Sequence, residues 1–375
     1  MKFQILQENL SKAVGVASRF ASTKAQLPIL GNILLSTKKS KVYVSSTNLE
    51  ISASVQVGAK IEEEGEISIP AKVISELVSN LPKETIFLSA EKEQLKISTT
   101  GFSSKILGIN SSDFPKIPTS INQEKAVKLS QEALSAALSQ VLFATSVDET
   151  RPILTGVLFL FSSNSLSLIA TDGFRLSRKI ITFDIKKEDV GKVIIPKGVL
   201  GEIVRVDSSV GEILMLREDR EKQVIFGMGN TILTSRLLEG EYPDFEKIIP
   251  KSSIVKVLLD KEEFLRAIKL ASIFARESAN IVKIKVLEDS VRVSAESGSA
   301  GSQEAKVDAK VDLGGGEYTE PFEIAFNYKF LEDFLHSVTG EEVEMRFSGV
   351  SSAGVFLDPK DSSYLHLIMP VKIQD

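Results

Sequence analysis

Two histidines, His336 and His366, are the only imidazoles in 375 residues, and cysteine is absent. A Ser-His-Asp relay or a histidine-rich metal site therefore has almost nothing to draw on. Thiol nucleophiles, thiolate zinc sites and disulfides are removed together. Gly314-Gly315-Gly316 lacks the following Lys-Ser/Thr of a phosphate-binding loop and reads as a hairpin tip. Glu62-Glu63-Glu64 reads as a solvated acidic loop. Asp and Glu are plentiful enough for a hydrolase working through paired carboxylates, but comparison within the chain marks out no such pair. The expectation is no catalytic residue, no metal ligand and no cofactor.

The composition is that of globular material, with 43% hydrophobic and 25% charged residues, enough for two or three separate cores. A net charge of -5 argues against a tail or shell that coats nucleic acid, but leaves room for a basic face on an acidic molecule. Met1-Lys2-Phe3-Gln4-Ile5-Leu6-Gln7-Glu8 has no signal-peptide stretch, and no run approaches a membrane span. Together with the missing cysteines this predicts a soluble, cytoplasmic protein with no membrane partner.

The elements that would position any site come in threes. Pro28-Ile29-Leu30-Gly31-Asn32-Ile33-Leu34-Leu35 returns as Pro152-Ile153-Leu154-Thr155-Gly156-Val157-Leu158-Phe159, and more faintly as Asn280-Ile281-Val282-Lys283-Ile284-Lys285-Val286. The spacing is about that of one compact domain, so three related domains are expected, over residues 1–122, 123–252 and 253–375. Each opens with apolar residues at helical spacing: Leu10, Ala13, Val14, Ala17 and Phe20; Leu134, Ala137, Leu138 and Val141; Phe264, Ala267, Ile268 and Ala271. Asp260 ahead of Glu263 has capping-box spacing. Alternating strands follow, such as Ile51, Ala53, Val55, Val57 and Leu166, Leu168, Ala170. A second short helix comes next, over Pro70 to Leu81, Pro196 to Val206 and Asn327 to Val338. Pro-stiffened joints with aromatic anchors, at 113–118 and 242–250, close the first two copies.

Each copy thus reads as an α+β domain of two helices and roughly eight strands. Three such units in head-to-tail series leave an unsatisfied edge at each end. Closure by a two-fold dimer is the economical solution, although a ring of one chain or an open solenoid also fits. What one copy alone carries is a candidate for function. Only the middle copy adds Gly173-Phe174-Arg175-Leu176 after Ala170-Thr171-Asp172, apolar surface beside a cation. The terminal His366-Leu367-Ile368-Met369-Pro370-Val371-Lys372 offers an adaptable Met-Pro pair. The polar sides and ends of the repeated helices carry Lys12, Arg19, Arg205, Arg266, Lys269, Lys24, Lys72, Lys197 and Arg276. Such a set could face phosphates without reading bases. Two rival classes predict other surfaces: an enzyme with unrecognised carboxylates a deep acidic cleft, a structural repeat protein basic residues with no convergence.

Four signatures, Leu27-Pro28-Ile29-Leu30-Gly31-Asn32, Ala170-Thr171-Asp172-Gly173-Phe174-Arg175-Leu176, the 242–250 joint and Met369-Pro370-Val371-Lys372, together resemble the bacterial DNA polymerase III beta subunit family, the replicative sliding clamps. The resemblance spans the chain. It implies the DNA-clamp fold: three similar domains per chain, antiparallel sheets outside, helices lining a ring interior, and closure as a homodimer around duplex DNA held without regard to sequence. It implies a processivity factor and not an enzyme, serving the replicative polymerase alpha subunit, clamp-loader subunits and other proteins with a clamp-binding motif. By similarity Lys24, Lys72 and Arg151 match DNA-contacting positions, and Lys197, Arg19 and Arg276 join them as DNA-binding candidates. The implied peptide-binding pocket, between domains 2 and 3, comprises Leu154, Thr171, Gly173, Phe174, Arg175, Leu176, Pro243, Lys247, Ile248, Asn327, Phe330, Leu367, Met369, Pro370, Val371 and Lys372. Phe174 stands where the family often has His, and Lys247 where it usually has Arg, which should retune the pocket. The implied dimer interface involves Ile273 and Phe274 meeting a strand near Ile106.

Overall fold

Apolar residues at spacings of three and four fold as helices because the stripe they form can then be buried whole. The computed structural model shows this three times, in α1 (Gln7–Ala17), α3 (Gln131–Val141) and α5 (Lys261–Ala275), where every apolar residue named above is buried, with Phe20 following α1 in a short 3-10 turn. The structure describes residues 1–22, 27–182, 191–205, 210–314 and 322–372. The expectations for Lys24, for Gly315 and Gly316, and for Val206 lie outside the described residues.

The second helix of each copy is α2 (Ala71–Asn80), α4 (Lys197–Val204) and α6 (Tyr328–Ser337). Their starts are local chemistry. Pro70 and Pro196 directly precede α2 and α4, where the missing N–H costs nothing. The Asn327 side chain accepts from the Lys329 N–H at 3.0 Å, and Asp260 caps α5 by accepting from the Glu263 N–H at 2.8 Å.

The strands do not stop at the repeat boundaries. One sheet of five runs in the order Lys60–Glu63, Lys2–Leu6, Thr85–Glu91, Gln94–Ser98, Ser103–Leu107. A sheet of eight carries strands of the first copy, ending in Ile51–Gly58, Lys41–Thr47, Asn32–Lys38 and Gly65–Pro70, alongside Val127–Ser130, Glu212–Glu218, Gln223–Met228 and Thr231–Arg236 of the second. A sheet of twelve runs from Lys192–Pro196, Gly156–Phe161, Ser165–Thr171 and Arg175–Thr182 into Asp361–Ile368, Gly354–Asp358, Glu342–Phe347 and Val255–Asp260, then Gly301–Asp312, Ser290–Ser297, Ile281–Val286 and Glu323–Asn327. The joins are antiparallel ladders, Ile51–Gly58 on Thr231–Arg236 and Arg175–Thr182 on Asp361–Ile368. Consequently the chain packs as two compact units, residues 1–132 with 205–237 and residues 133–204 with 238–375. The middle copy divides itself between them, which its sequence period does not show.

The first unit holds a core of Phe3, Leu10, Ile33, Leu35, Ile74 and Ile97 among others. The second holds an aromatic core of Phe264, Phe326, Phe334, Phe347 and Phe356. It also holds a smaller cluster of Leu158, Ile169, Leu176, Ile194, Val355 and Leu367, onto which Tyr242, Phe245 and Ile249 of the joint pack. The Tyr242 hydroxyl donates to the Ile169 carbonyl at 3.2 Å, so the joint is pinned as well as stiffened. Among the described residues no helix is long and apolar enough to cross a membrane.

Candidate functional site

The hairpin Thr171–Arg175 is built from side chains that bond their own backbone. Thr171 Oγ1 donates to the Arg175 carbonyl at 2.6 Å and accepts from the Gly173 N–H, while Asp172 Oδ1 accepts from the Phe174 and Arg175 N–H groups. The first copy makes the same turn with Thr47 and Asn48, and Leu49, at φ 75°, stands where Gly173 has φ 93°. The middle copy therefore has no insertion, contrary to the reading of its sequence: the glycine made an equal-length loop look longer. What differs is the pair of side chains that the loop displays, Phe174 and Arg175 against Glu50 and Ile51.

Arg175 is held from three sides. Its Nε donates to Asp172 Oδ2 at 3.0 Å, one terminal nitrogen to Asp333 Oδ2 at 2.5 Å, and the other to the Phe143 carbonyl at 2.6 Å. The guanidinium lies 4.4 Å from the Phe330 ring centroid and 5.4 Å from that of Phe143. With its donors engaged and its side chain only 10% exposed, Arg175 braces the hairpin against α6 and presents the flank of its plane, not a free fork. Asp172 is local to the hairpin, but Asp333 and Phe143 are supports of Arg175 that sequence reasoning missed. These two come from distant points in the chain, and no period marks them.

Around this brace the sequence candidates sort by depth. Leu154, Thr171, Leu176 and Leu367 are buried, the last two opposite each other in the ladder. Phe174 (61% exposed), Ile248 (48%) and Met369 (41%) are large apolar side chains left in solvent. The Met369 N–H donates to the Phe174 carbonyl at 2.8 Å, and the Val371 N–H to Ala325, so the terminal segment is stitched to the hairpin and to the strand leading into α6. Pro370 and Val371 are half-buried and Lys372 exposed along that segment, while Pro243 is exposed on the joint. Lys247 is exposed and paired with Asp244 at 2.8 Å, which raises its pKa. Asn327 serves α6 as its cap.

Behind the hairpin the ladder carries a buried polar seam. Ser177 Oγ meets His366 Nδ1 at 2.7 Å, and the ring packs between Phe143 and Phe334 with Nε2 buried and unpartnered. Burial, with Arg175 adding to it, holds the His366 pKa well below the usual value, so the ring is neutral. Burial alone would raise Asp361; hydrogen bonds from Lys179, Ser363 and Gln140 outweigh it and hold this carboxyl below the ordinary range.

The basic candidates among the described residues all reach solvent. Arg19, Lys72, Arg151, Lys197 and Arg276 are exposed, as are Lys12, Arg205, Arg266 and Lys269. Arg19 follows α1 in a turn that packs against α2, the helix carrying Lys72. Arg276 caps α5, which packs on α6. Arg151 pairs with Asp148 at 3.2 Å, and its guanidinium also closes on Gly173, where a Cβ would come within 3.2 Å of it. Lys197, at the start of α4, has a lowered pKa, first from desolvation and then from Arg175, with Asp333 opposing. The structure thus groups Lys197 with the Arg175 brace. Of the interface candidates, Ile273 is 57% exposed, Phe274 is half-buried against the C-terminal core, and Ile106 turns its side chain into the first core at 5% exposure. The strand of Ile106 offers its backbone edge and Leu107, 73% exposed, instead.

Comparison with known proteins decides the family. Residues 1–118, 128–244 and 246–372 match in turn the N-terminal, central and C-terminal domains of the DNA polymerase III beta subunit. The beta sliding clamp of Staphylococcus aureus is 31% identical over 99% of both chains. The chain belongs to the DNA polymerase III beta subunit family. The crystal structure of the Bacillus subtilis DNA polymerase sliding clamp matches all of both chains with a TM-score of 0.93 at 28% identity. That of the Thermotoga maritima beta subunit matches all of both chains with 0.91 at 26%. The three-domain clamp fold of helices and antiparallel sheets follows, as does the role of a sliding clamp: an accessory processivity factor of DNA replication, without catalytic activity of its own.

Proposed function

We propose that two copies of this chain close into a ring around duplex DNA in the cytoplasm and tether the replicative polymerase alpha subunit, clamp-loader subunits and other motif-bearing proteins through one peptide pocket per chain, between domains 2 and 3. The observation that supports the pocket is the exposure of three large apolar candidates, Phe174, Ile248 and Met369, the first and last joined by a backbone hydrogen bond where the buried ladder pair Leu176 and Leu367 ends. Exposed apolar anchors suit short tails that bind and leave. The ends of the repeated helices supply Lys72, Lys197, Arg19 and Arg276, and the turn before Pro152 supplies Arg151, as long-range phosphate partners, with Lys24 as a further one by similarity. Exposed cations that do not read bases hold the duplex electrostatically while allowing it to move.

The pocket is tested with the C-terminal tail of the alpha subunit as a fluorescent peptide. Arg175→Ala with Met369→Ala is expected to weaken binding at least tenfold while leaving the dimer intact in sedimentation; unchanged affinity removes the pocket. The ring is tested by loading the protein on nicked circular DNA: it should remain until the circle is cut, then run off. Equal retention on the linear form overturns topological binding.

A further inference from the structure

Beside the buried pair Leu176 and Leu367, the sheet carries one residue that its surroundings do not satisfy. Side chains two apart on a strand share a face, so Arg178 points the same way as Leu176, about 6.6 Å further along. Cross-strand pairing sets Arg178 in a row that is otherwise apolar. Ile194 faces Leu158, Leu158 faces Ile169, Ile169 faces Arg178, Arg178 faces Leu365, and Leu365 faces Leu357. The 242–250 joint comes to the same cluster, since the Tyr242 hydroxyl donates to the carbonyl of Ile169, and Phe245 and Ile249 pack there as well.

Arg178 is half-buried, and its Nε is shut off from solvent without a partner. Among the described residues it makes no ion pair and no side-chain hydrogen bond, and its two terminal nitrogens stay accessible. A guanidinium does not give up its proton, so the charge remains, and burying it without a counter-ion costs free energy. The cations on either side lack this defect: Arg175 has three acceptors, and Lys179 is paired with Asp361. The first copy shows how the same place is filled when it satisfies itself. There Ser45 faces Ser54, two pairs on from the turn in the ladder that sets Ile169 against Arg178 in the middle copy, and the two hydroxyls bond each other at 3.0 Å. The middle copy has put a charge where that pair was, opposite a side chain that cannot answer it.

We infer that Arg178 receives a carboxylate from the bound tail, an aspartate or glutamate side chain flanking the tail's apolar residues, and so selects among partners by charge. The inference rests on the peptide-pocket reading and adds to it a residue and a charge requirement. The row around Arg178 supplies no counter-charge of its own, so the ligand must bring it. The place is continuous with the proposed pocket, one step along the ladder from Leu176 and Leu367, within the reach of an arginine side chain. Two accessible nitrogens of one planar group suit the two oxygens of a carboxylate, and an ion pair formed over an apolar floor is screened less than one in open solvent.

The probe is the alpha-subunit tail as a C-terminally amidated fluorescent peptide, in a series that places aspartate or asparagine at each position beside its apolar residues in turn. Amidation removes the terminal carboxylate as a competing source of charge. At one position at least, aspartate should bind the parent protein about tenfold or more tightly than asparagine, as a charge-assisted pair requires. In Arg178→Met that ratio should fall to within about twofold. A series with no aspartate preference, or a preference that persists in Arg178→Met, overturns the inference. Failure of every peptide to bind overturns the pocket reading itself, whereas tight binding without charge preference overturns only the role of Arg178. As a second readout, Arg178→Met completes the apolar row with an unbranched apolar side chain and should raise the urea midpoint of the free protein. A lowered midpoint would show that Arg178 is already satisfied within its own chain, and overturns its availability to a ligand.

Discussion

At the scale of residues, the pair Ser177 and His366 carries a consequence for stability. The native ring stays neutral, while in the unfolded chain it takes a proton below about pH 6.5. The unfolded state then binds more protons, so stability falls as pH drops below that value, by at most about 1.4 kcal/mol per pH unit until the depressed native pKa is reached. The ladder of Ile51–Gly58 on Thr231–Arg236 has an apolar pair at the matching place, Ala53 opposite Leu233. Ser177→Ala with His366→Leu copies that pair into the ladder of Arg175–Thr182 on Asp361–Ile368 and removes both polar groups together. That variant should match the parent near pH 8 to within about 1 kcal/mol and lose less stability than the parent between pH 6.5 and 5. Urea denaturation of both proteins across that range checks it; parallel pH profiles would show that His366 is not the titrating group.

At the scale of elements, legibility in the sequence followed the range of the interaction. The six α-helices among the described residues are readable because burial at 3.6 residues per turn is written within a dozen neighbours, and Asp260 announces its own cap. The ladders joining copies are not, because Ile51–Gly58 meets Thr231–Arg236 through edges that become available only once each hairpin has formed. Arg175 was legible as an exception among the copies, whereas Asp333, which braces it, lies on α6 with nothing local to single it out. The hairpin shows the opposite failure, since a turn of equal length reads in the middle copy as an insertion. Leu49 holds a positive φ of 75° that glycine or asparagine adopts with less strain. Its side chain is half-exposed and contributes little by burial, so Leu49→Asn should stabilise the first unit by about 1 kcal/mol. Gly173→Ala should cost about as much in the second, where φ is 93° and the new Cβ meets Arg151. Shifts in the urea midpoints with opposite signs are expected, and a shared sign would mean that the two turns are not equivalent.

At the scale of the whole molecule, the peptide surface and the dimer interface belong to different parts of the chain and should separate under mutation. Every described pocket candidate, from Leu154 to Lys372, lies in the unit of residues 133–204 and 238–375 of a single chain. The proposed dimer interface instead draws on two copies. Leu270 and Ile273, one turn apart on α5, are exposed in the single chain, whereas Phe274 beside them packs into the core and is a poor choice for substitution. Charges in place of the two exposed residues leave the core untouched and put like charges on an apolar flank, a change that association cannot absorb. Leu270→Glu with Ile273→Glu should therefore sediment as a monomer with parental circular dichroism, and should bind the alpha-subunit tail within about twofold of the parent. It should fail to remain on circular DNA, because half a ring has nothing to hold it there. A persistent dimer would move the interface away from α5. A monomer that lost peptide affinity in step would mean that the pocket depends on the second copy, contrary to its construction within one unit.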